Sequence, residues 1–140
     1  MALSGHGRIF RLLMNDFHEF ERRASARITL HFPIRLMAQT RGVTETFEAQ
    51  TVNLGIHGLY CIVKRYVPVF AKLLLTLIAP GHDGQPAHVL SQVDAVVVRI
   101  EPAQPVPGGT EYHAALFFPE LSDQQHAALT ALLAFHAPHI

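Results

Sequence analysis

The sequence has one cysteine and no net charge, and each of these shortages excludes a class of protein. A single cysteine, Cys61, excludes an internal disulfide framework and fits a reducing compartment. Basic and acidic residues balance at 11 each, which excludes a strongly charged tail and argues against a partner that is a nucleic-acid polymer. We therefore expect a cytoplasmic protein.

Long apolar runs are also missing. The richest run, from Phe70 to Ala79, is interrupted by Lys72 and Thr76, so it falls short of the roughly 18 apolar residues that a membrane helix needs. Near the N-terminus, Arg8 and Arg11 interrupt the apolar stretch that a secretory signal requires. The sequence predicts no membrane span and no signal peptide.

What the sequence does contain is typical of one globular domain. Its 140 residues are 49% hydrophobic and 16% charged, enough to bury a sizeable core. Charge is unevenly distributed, because seven of the nine arginines lie between Arg8 and Arg41. A local arginine-rich anion site is compatible with this neutral total.

An amphipathic helix is predicted from Arg8 to Glu21, because apolar residues recur there at spacings of three and four. They are Ile9, Phe10, Leu13, Phe17 and Phe20. Such a helix docks on its own domain or serves as a handle for a partner protein. We divide the chain into this extension, residues 1–21, and a domain of residues 22–140.

From Ile28 to Ala38 the apolar period changes to two, which indicates a half-buried strand with an edge or a bulge at Pro33. Five further strands are predicted at 44–52, 59–63, 71–79, 89–100 and 112–118, and turns at 41–42 and 80–84. Ser122 and Gln125 form a capping box for a C-terminal helix that Pro138 ends. The pattern predicts a mainly β fold, a six-stranded antiparallel barrel with a C-terminal helix and a short N-terminal helix.

Three arginines precede the first strand, Arg22, Arg23 and Arg27, with only small residues between the last two. The planar fork of arginine suits a phosphate, suits the O6 and N7 acceptors of guanine, and can stack on a base. A ligand with both guanines and phosphates would use all of these properties. Alternatively, the segment is a solvated run of charge.

A second segment, Val52 to Leu59, lies between two predicted strands. Gly55 and Gly58 allow a turn or a close approach to the backbone, and the amide of Asn53 can donate to and accept from a base edge. On its own this segment also fits a simple strand–turn–strand connection.

Together the two segments resemble the PilZ domain, the bacterial receptor module for cyclic di-GMP. Its signature is RxxxR before the first barrel strand, matched by Arg23 and Arg27, and then [D/N]xSxxG, matched by Asn53 and Gly58. Gly55 stands where serine is usual. The resemblance extends from about residue 22 through the C-terminal helix, and it implies a PilZ-type β-barrel.

The resemblance also implies the roles of the residues. Arg23 and Arg27 would grip phosphates and guanine faces, Asn53 would bind a guanine edge, and Gly58 would let the backbone turn beneath the ligand. An arginine directly before the motif, here Arg22, implies that the domain binds a stacked pair of nucleotides rather than one. Because Gly55 lacks the serine hydroxyl, we expect cyclic di-GMP binding that is weakened by about 0.5–1.5 kcal/mol.

The resulting prediction is a non-catalytic, single-domain cyclic di-GMP receptor with a downstream protein partner, acting in motility, biofilm or polysaccharide control, or virulence. One alternative is a PilZ-like adaptor that has lost nucleotide binding and acts by protein contacts. A remote alternative is a flavin-binding split-barrel enzyme. No catalytic set, metal site or cofactor is predicted, because the ten histidines lack ligand spacing and Cys61 has apolar neighbours.

Overall fold

A ring of strands and one helix form the part of the chain that the computed structural model describes, residues 28–81, 84, 86–109 and 111–136. The elements are β1 (Ile28–Thr29), β2 (Pro33–Thr40), β3 (Val43–Gly55), β4 (Gly58–Val63), β5 (Lys72–Ala79), β6 (His88–Glu101), β7 (Tyr112–Phe117) and α1 (Asp123–His136). The predicted N-terminal helix, the residues 1–21 of the predicted extension, and Arg22, Arg23 and Arg27 lie outside the described residues.

All strand pairs are antiparallel, and they close into a barrel. The strand order is β1-β3-β2-β5-β6-β7-β4, and β4 pairs back onto β3. Six long strands, β2 to β7, therefore form a closed ring, and β1 extends one side of β3. The mainly β, six-stranded antiparallel barrel with a C-terminal helix is confirmed.

The first predicted strand is divided into two by a break before Pro33. Both parts, β1 and β2, run along the same side of β3, and Leu30 to Phe32 lie between them. Proline lacks the N–H that a strand ladder needs, so the interruption falls where the sequence placed an edge or a bulge. The side chain of Thr51 on β3 bridges the break.

The strand β3 is longer than its predicted range of 44–52, and this changes the expected turn. Leu54 is buried in the core and pairs with Leu59, and Gly55 pairs with Gly58. The connection between β3 and β4 is therefore only two residues, Ile56 and His57. Burial of Leu54 in the core stabilises the additional strand residues. The sequence prediction ended this strand at residue 52 because Gly55 and Gly58 indicated a turn.

The core fills the barrel interior with the side chains that alternate inwards along each strand. Its largest fully buried strand side chains include Ile34, Leu36, Leu54, Leu59, Leu75, Leu77, Leu90 and Leu116. Cys61 belongs to the same cluster, as its apolar neighbours in the sequence favour. The outward residues of β2 and β5 stay exposed, as in Met37 and Ile78.

The C-terminal helix α1 begins with the predicted capping box. The backbone N–H of Gln125 donates to the hydroxyl of Ser122, and the backbone N–H of Ser122 donates to the side-chain carbonyl of Gln125, both at 3.0 Å. Leu129 and Leu132 are fully buried in the barrel core cluster. The helix therefore shares one core with the barrel and fixes its own position on it.

Candidate functional site

The β3–β4 hairpin carries Asn53, Gly55 and Gly58, three of the predicted site residues. A bulge after Thr51 shifts the register, so that Thr51 pairs with Cys61 and Asn53 pairs with Tyr60. Thr51 and Leu54 both face the core, although an unbroken strand would place residues three apart on opposite faces. The bulge therefore turns Asn53 to the outer face of the barrel.

Asn53 lies in a row of neighbours that crosses five strands on this outer face. Thr29 on β1 and Tyr60 on β4 pair directly with Asn53, Ala115 on β7 pairs with Tyr60, and Arg99 on β6 pairs with Ala115. Directly paired residues have Cβ atoms about 4.5–5.5 Å apart. A planar ligand lying across β3 and β4 would contact both the Asn53 amide and the Tyr60 ring.

The side-chain carbonyl oxygen of Asn53 is buried and accepts no hydrogen bond within the part of the chain that the structure describes. A buried acceptor without a donor costs about 1–3 kcal/mol. Buried polar groups in folded proteins are nearly always satisfied, so an unsatisfied one on a surface row calls for an explanation. A ligand that brings a donor, such as the N1–H or N2–H of a guanine, would supply the missing bond.

Packing requires a glycine at position 58. A Cβ atom at this position would collide with the carbonyl oxygen of Leu116 and would lie 3.1 Å from the Leu116 carbonyl carbon and from the Phe117 Cα atom. The absence of a side chain thus lets β4 approach the end of β7, where Gly58 pairs with Phe117. The backbone N–H of Phe118 also donates to the carbonyl of His57 at 2.8 Å, which ties the hairpin to β7.

Gly55 pairs with Gly58 at the end of the hairpin and is buried. It stands two residues beyond Asn53 on the same outer face, since side chains alternate along a strand. A serine hydroxyl here would project beside the Asn53 amide, so its absence removes one hydrogen-bonding group from this surface.

The predicted arginines, Arg22, Arg23 and Arg27, lie outside the described residues, so the structure does not place their guanidinium groups. It does place the residues that follow them. Ile28 pairs with Leu54, and Thr29 pairs with Asn53 itself. Arg27 is covalently joined to Ile28, so the arginine segment leads directly into the strand beside Asn53.

Tyr60, which sequence reasoning did not select, belongs to the same surface. The signal was available: two glycines that flank a two-residue connection fix the hairpin register and place position 60 opposite position 53. Arg99 and His113 are exposed, and with Tyr60 they line a shallow groove of about 120 Å³. Arg99 is paired with Glu101 through its Nε atom at 2.8 Å.

Acid–base and metal chemistry find little support among the described residues. Burial raises the pKa of the Cys61 thiol to about 12, so it stays protonated and is a poor nucleophile. The described part of the chain contains no group of three metal-ligating side chains, and no helix in that part is long and apolar enough to cross a membrane.

Structural comparison identifies solved proteins with the same fold. The PilZ domain of YcgR from Escherichia coli, solved with c-di-GMP, superposes with a TM-score of 0.53 and 13% identity over 79% of this chain and 87% of that chain. The inhibitor of motility MotI, or DgrA, from Bacillus subtilis superposes with a TM-score of 0.59 and 15% identity over 79% of this chain and 48% of that chain. The chain thus spans about half the length of MotI.

These likenesses show that the chain has the fold of the PilZ domain, which confirms the fold expected from the two sequence motifs. No protein-family model and no curated protein sequence matches the chain.

Proposed function

We propose, from the PilZ-domain fold and the surroundings of Asn53, that this protein is a non-catalytic cyclic di-GMP receptor of the bacterial cytoplasm. The observation that carries the proposal is the buried Asn53 carbonyl oxygen, which lacks a donor at the position where the family motif places a guanine-binding residue. A side-chain amide offers both an acceptor and a donor, and the Watson–Crick edge of guanine offers the complementary pair.

The charge of the ligand fits the segment before β1. Cyclic di-GMP carries two phosphates, and the bidentate fork of Arg23 and Arg27 suits phosphate and guanine alike. Charge-assisted hydrogen bonds of this kind contribute about 1.5–3 kcal/mol each. The bound segment 21–27 would act as a clasp that closes over the nucleotide against the outer face of the β3–β4 hairpin.

Arg22 extends the proposal to stoichiometry. A third guanidinium beside the motif provides charge and a flat face for a second nucleotide stacked on the first. We expect two nucleotides per chain in the unaltered protein and one in an Arg22→Ala variant.

Calorimetric titration with cyclic di-GMP tests the proposal. The unaltered protein should bind saturably, and an Arg23→Ala/Arg27→Ala variant should bind at least about a hundredfold more weakly, since two charge-assisted contacts are lost. Arg35→Ala is the matched control, because Arg35 is exposed on β2 outside the proposed site. Equal losses in the control and in the double variant would show nonspecific charge attraction and would contradict the proposal.

Gly55 favours a second candidate function, that of an adaptor which has lost nucleotide binding and acts through protein contacts. The serine hydroxyl that the motif usually supplies is missing from the surface beside Asn53. A Gly55→Ser variant separates the two candidates. Under the receptor proposal it should bind cyclic di-GMP about two- to twelvefold more tightly than the unaltered protein. Binding that appears only in this variant would favour the adaptor.

A further inference from the structure

A small apolar cluster lies on the outer face of the barrel, beside Asn53. Its described members are Val98 on β6, Ala115 and Phe117 on β7, and the partly buried Tyr60 on β4. Their in-line neighbours Leu59, Leu116 and Val97 face the core, so the alternation of each strand directs this cluster away from the barrel interior. We call these four residues the outer patch.

The outer patch is buried although it lies on the outside. Val98, Ala115 and Phe117 are 6%, 1% and 5% exposed. On the outer face of β2 and β5, apolar residues of comparable size have exposed fractions of 38% at Met37 and 55% at Ile78. The outer patch therefore has the low exposure of a surface beneath a covering layer, and the described outer surface of β2 and β5 does not.

The described helix does not provide this layer. The side-chain amide of Gln125 in the first turn of α1 donates to the carbonyls of Ser91 and Gln92, at the beginning of β6. Val98 lies near the other end of that strand. The buried leucines of α1 belong to the barrel core and not to the outer patch.

We propose that the outer patch is the docking surface of the N-terminal segment 8–21 of this chain. That segment carries the apolar residues Ile9, Phe10, Leu13, Phe17 and Phe20 at helical spacing. As a helix its 14 residues would be about 21 Å long. The outer patch crosses three strands, a width of about 10 Å, which two to three helical turns would cover.

The connecting residues are long enough for this arrangement. The described chain begins at Ile28 on β1, which is three strand spacings, or about 14 Å, from β7 in the centre of the outer patch. Residues 22–27 can span about 20 Å when extended. A direct path from β1 to β7 passes over β3 and β4, and therefore over Asn53 and Tyr60.

Docking of segment 8–21 does not depend on cyclic di-GMP binding, but one consequence of the docking rests on that proposed function. A docked segment would hold both ends of the connecting residues, so that Arg22, Arg23 and Arg27 would be kept above the Asn53 row before any nucleotide arrives. Such preorganisation reduces the ordering cost of binding.

Tryptophan fluorescence tests the docking without a ligand, because the natural sequence contains no tryptophan. In a Tyr60→Trp variant, the indole should resist quenching by acrylamide. Adding Leu13→Asp and Phe17→Asp should raise the quenching constant severalfold, to that of the Ile78→Trp control, whose site is exposed on the opposite face. Circular dichroism of each variant establishes that the barrel is folded.

The matched control for the charge is Asn15→Asp, since position 15 lies on the opposite side of a helix from positions 13 and 17. It should leave the quenching constant unchanged. The inference is overturned if the indole at position 60 is quenched as readily as the indole at position 78 when segment 8–21 is unaltered. It is also overturned if Leu13→Asp and Phe17→Asp leave the protection of the indole at position 60 intact.

Calorimetry on the Leu13→Asp/Phe17→Asp variant separates the docking proposal from the receptor proposal. Weaker but saturable cyclic di-GMP binding supports the preorganisation, and unchanged binding contradicts it while leaving the receptor proposal standing.

Discussion

The hydroxyl of Thr51 donates a hydrogen bond to the carbonyl oxygen of Leu30 at 2.5 Å, across the break between β1 and β2. The same hydroxyl accepts from the backbone N–H of Phe32 at 2.8 Å. Thr51 is fully buried, so these two bonds replace the ladder bonds that the break removes. This side chain thereby helps the backbone pairing to hold β1 alongside β3, where Thr29 lies opposite Asn53.

A Thr51→Val substitution should destabilise the protein by about 2–4 kcal/mol, because it leaves one buried carbonyl and one partly buried N–H without partners. Urea denaturation measures the change in the free energy of unfolding. The Thr51→Ser control keeps the hydroxyl and loses only a methyl group, which should cost about 1 kcal/mol. Equal stability of the valine and serine variants would contradict the role of the hydroxyl.

A Gly58→Ala substitution should cost about 1–3 kcal/mol or more, because the new methyl group collides with the Leu116 carbonyl and forces β4 away from β7. Thermal unfolding followed by circular dichroism provides the measurement. Gly108→Ala is the control, since Gly108 has a φ of +72° but open space around its Cα atom. Its cost should be about 1 kcal/mol from backbone conformation alone. A smaller loss of stability in Gly58→Ala than in Gly108→Ala would contradict the collision of the new methyl group with the Leu116 carbonyl.

Cys61 should be unreactive towards thiol reagents in the folded protein. Burial raises its pKa from 9.0 to about 12, so at pH 8 the thiolate is scarce as well as inaccessible. Labelling with a chromogenic disulfide should be slow in buffer and fast in urea. A Cys61→Ala/Val69→Cys variant moves the thiol to an exposed position and should react at once. Rapid labelling of native Cys61 would show that the barrel opens readily at β4.

The same shift predicts how stability depends on pH. The folded protein keeps the thiol proton up to about pH 12, whereas the unfolded chain loses it from about pH 9. The contribution of Cys61 to the free energy of unfolding is therefore complete below pH 9 and declines as the pH rises towards 12. Replacing the thiol in Cys61→Ala should flatten this part of the stability profile. An unchanged slope would assign the decline to other groups.

A Gln125→Ala substitution should destabilise α1 more than Ser122→Ala does. Both break the capping box, which contributes about 1 kcal/mol. Gln125 additionally donates to the carbonyls of Ser91 and Gln92 at 3.2 Å, so its loss also weakens the contact of the helix with β6. We expect a cost of about 1–2 kcal/mol in urea denaturation.

Gln124→Ala is the control for Gln125→Ala, because Gln124 is exposed and lies next to it in the same helical turn. It should change the free energy of unfolding by less than about 0.5 kcal/mol. A cost at Gln124 equal to that at Gln125 would show that helix propensity, and not the contacts of Gln125, determines the effect.

Local sequence patterns predicted the strands and the helix of this fold well, because these elements depend on neighbouring residues. Period-two alternation located the strands, Pro33 marked the break, and Ser122 with Gln125 located the start of the helix. Arg41 and Gly42 form the predicted turn, and both have positive φ values. In each case the backbone preference and the burial pattern indicate the same structure.

The parts that escaped prediction depend on contacts between distant residues. The bulge after Thr51 exists because Leu54 fills the core while Thr51 bridges two strand segments, and neither partner is visible from β3 alone. The burial of Ala115 depends on its packing with Val98 on β6 and Tyr60 on β4, which are distant from it in the sequence. Composition does not encode such relationships, since they arise from tertiary packing.

The ring of strands also sets the order in which the protein can become functional during its synthesis. Asn53 and Tyr60 leave the ribosome early and can pair as a local hairpin, but β4 has no second neighbour until β7, Tyr112–Phe117, has been made. The row beside Asn53 is thus assembled from both halves of the chain. A nascent chain that stops before Phe117 contains both sequence motifs and yet has no closed surface on which they can act.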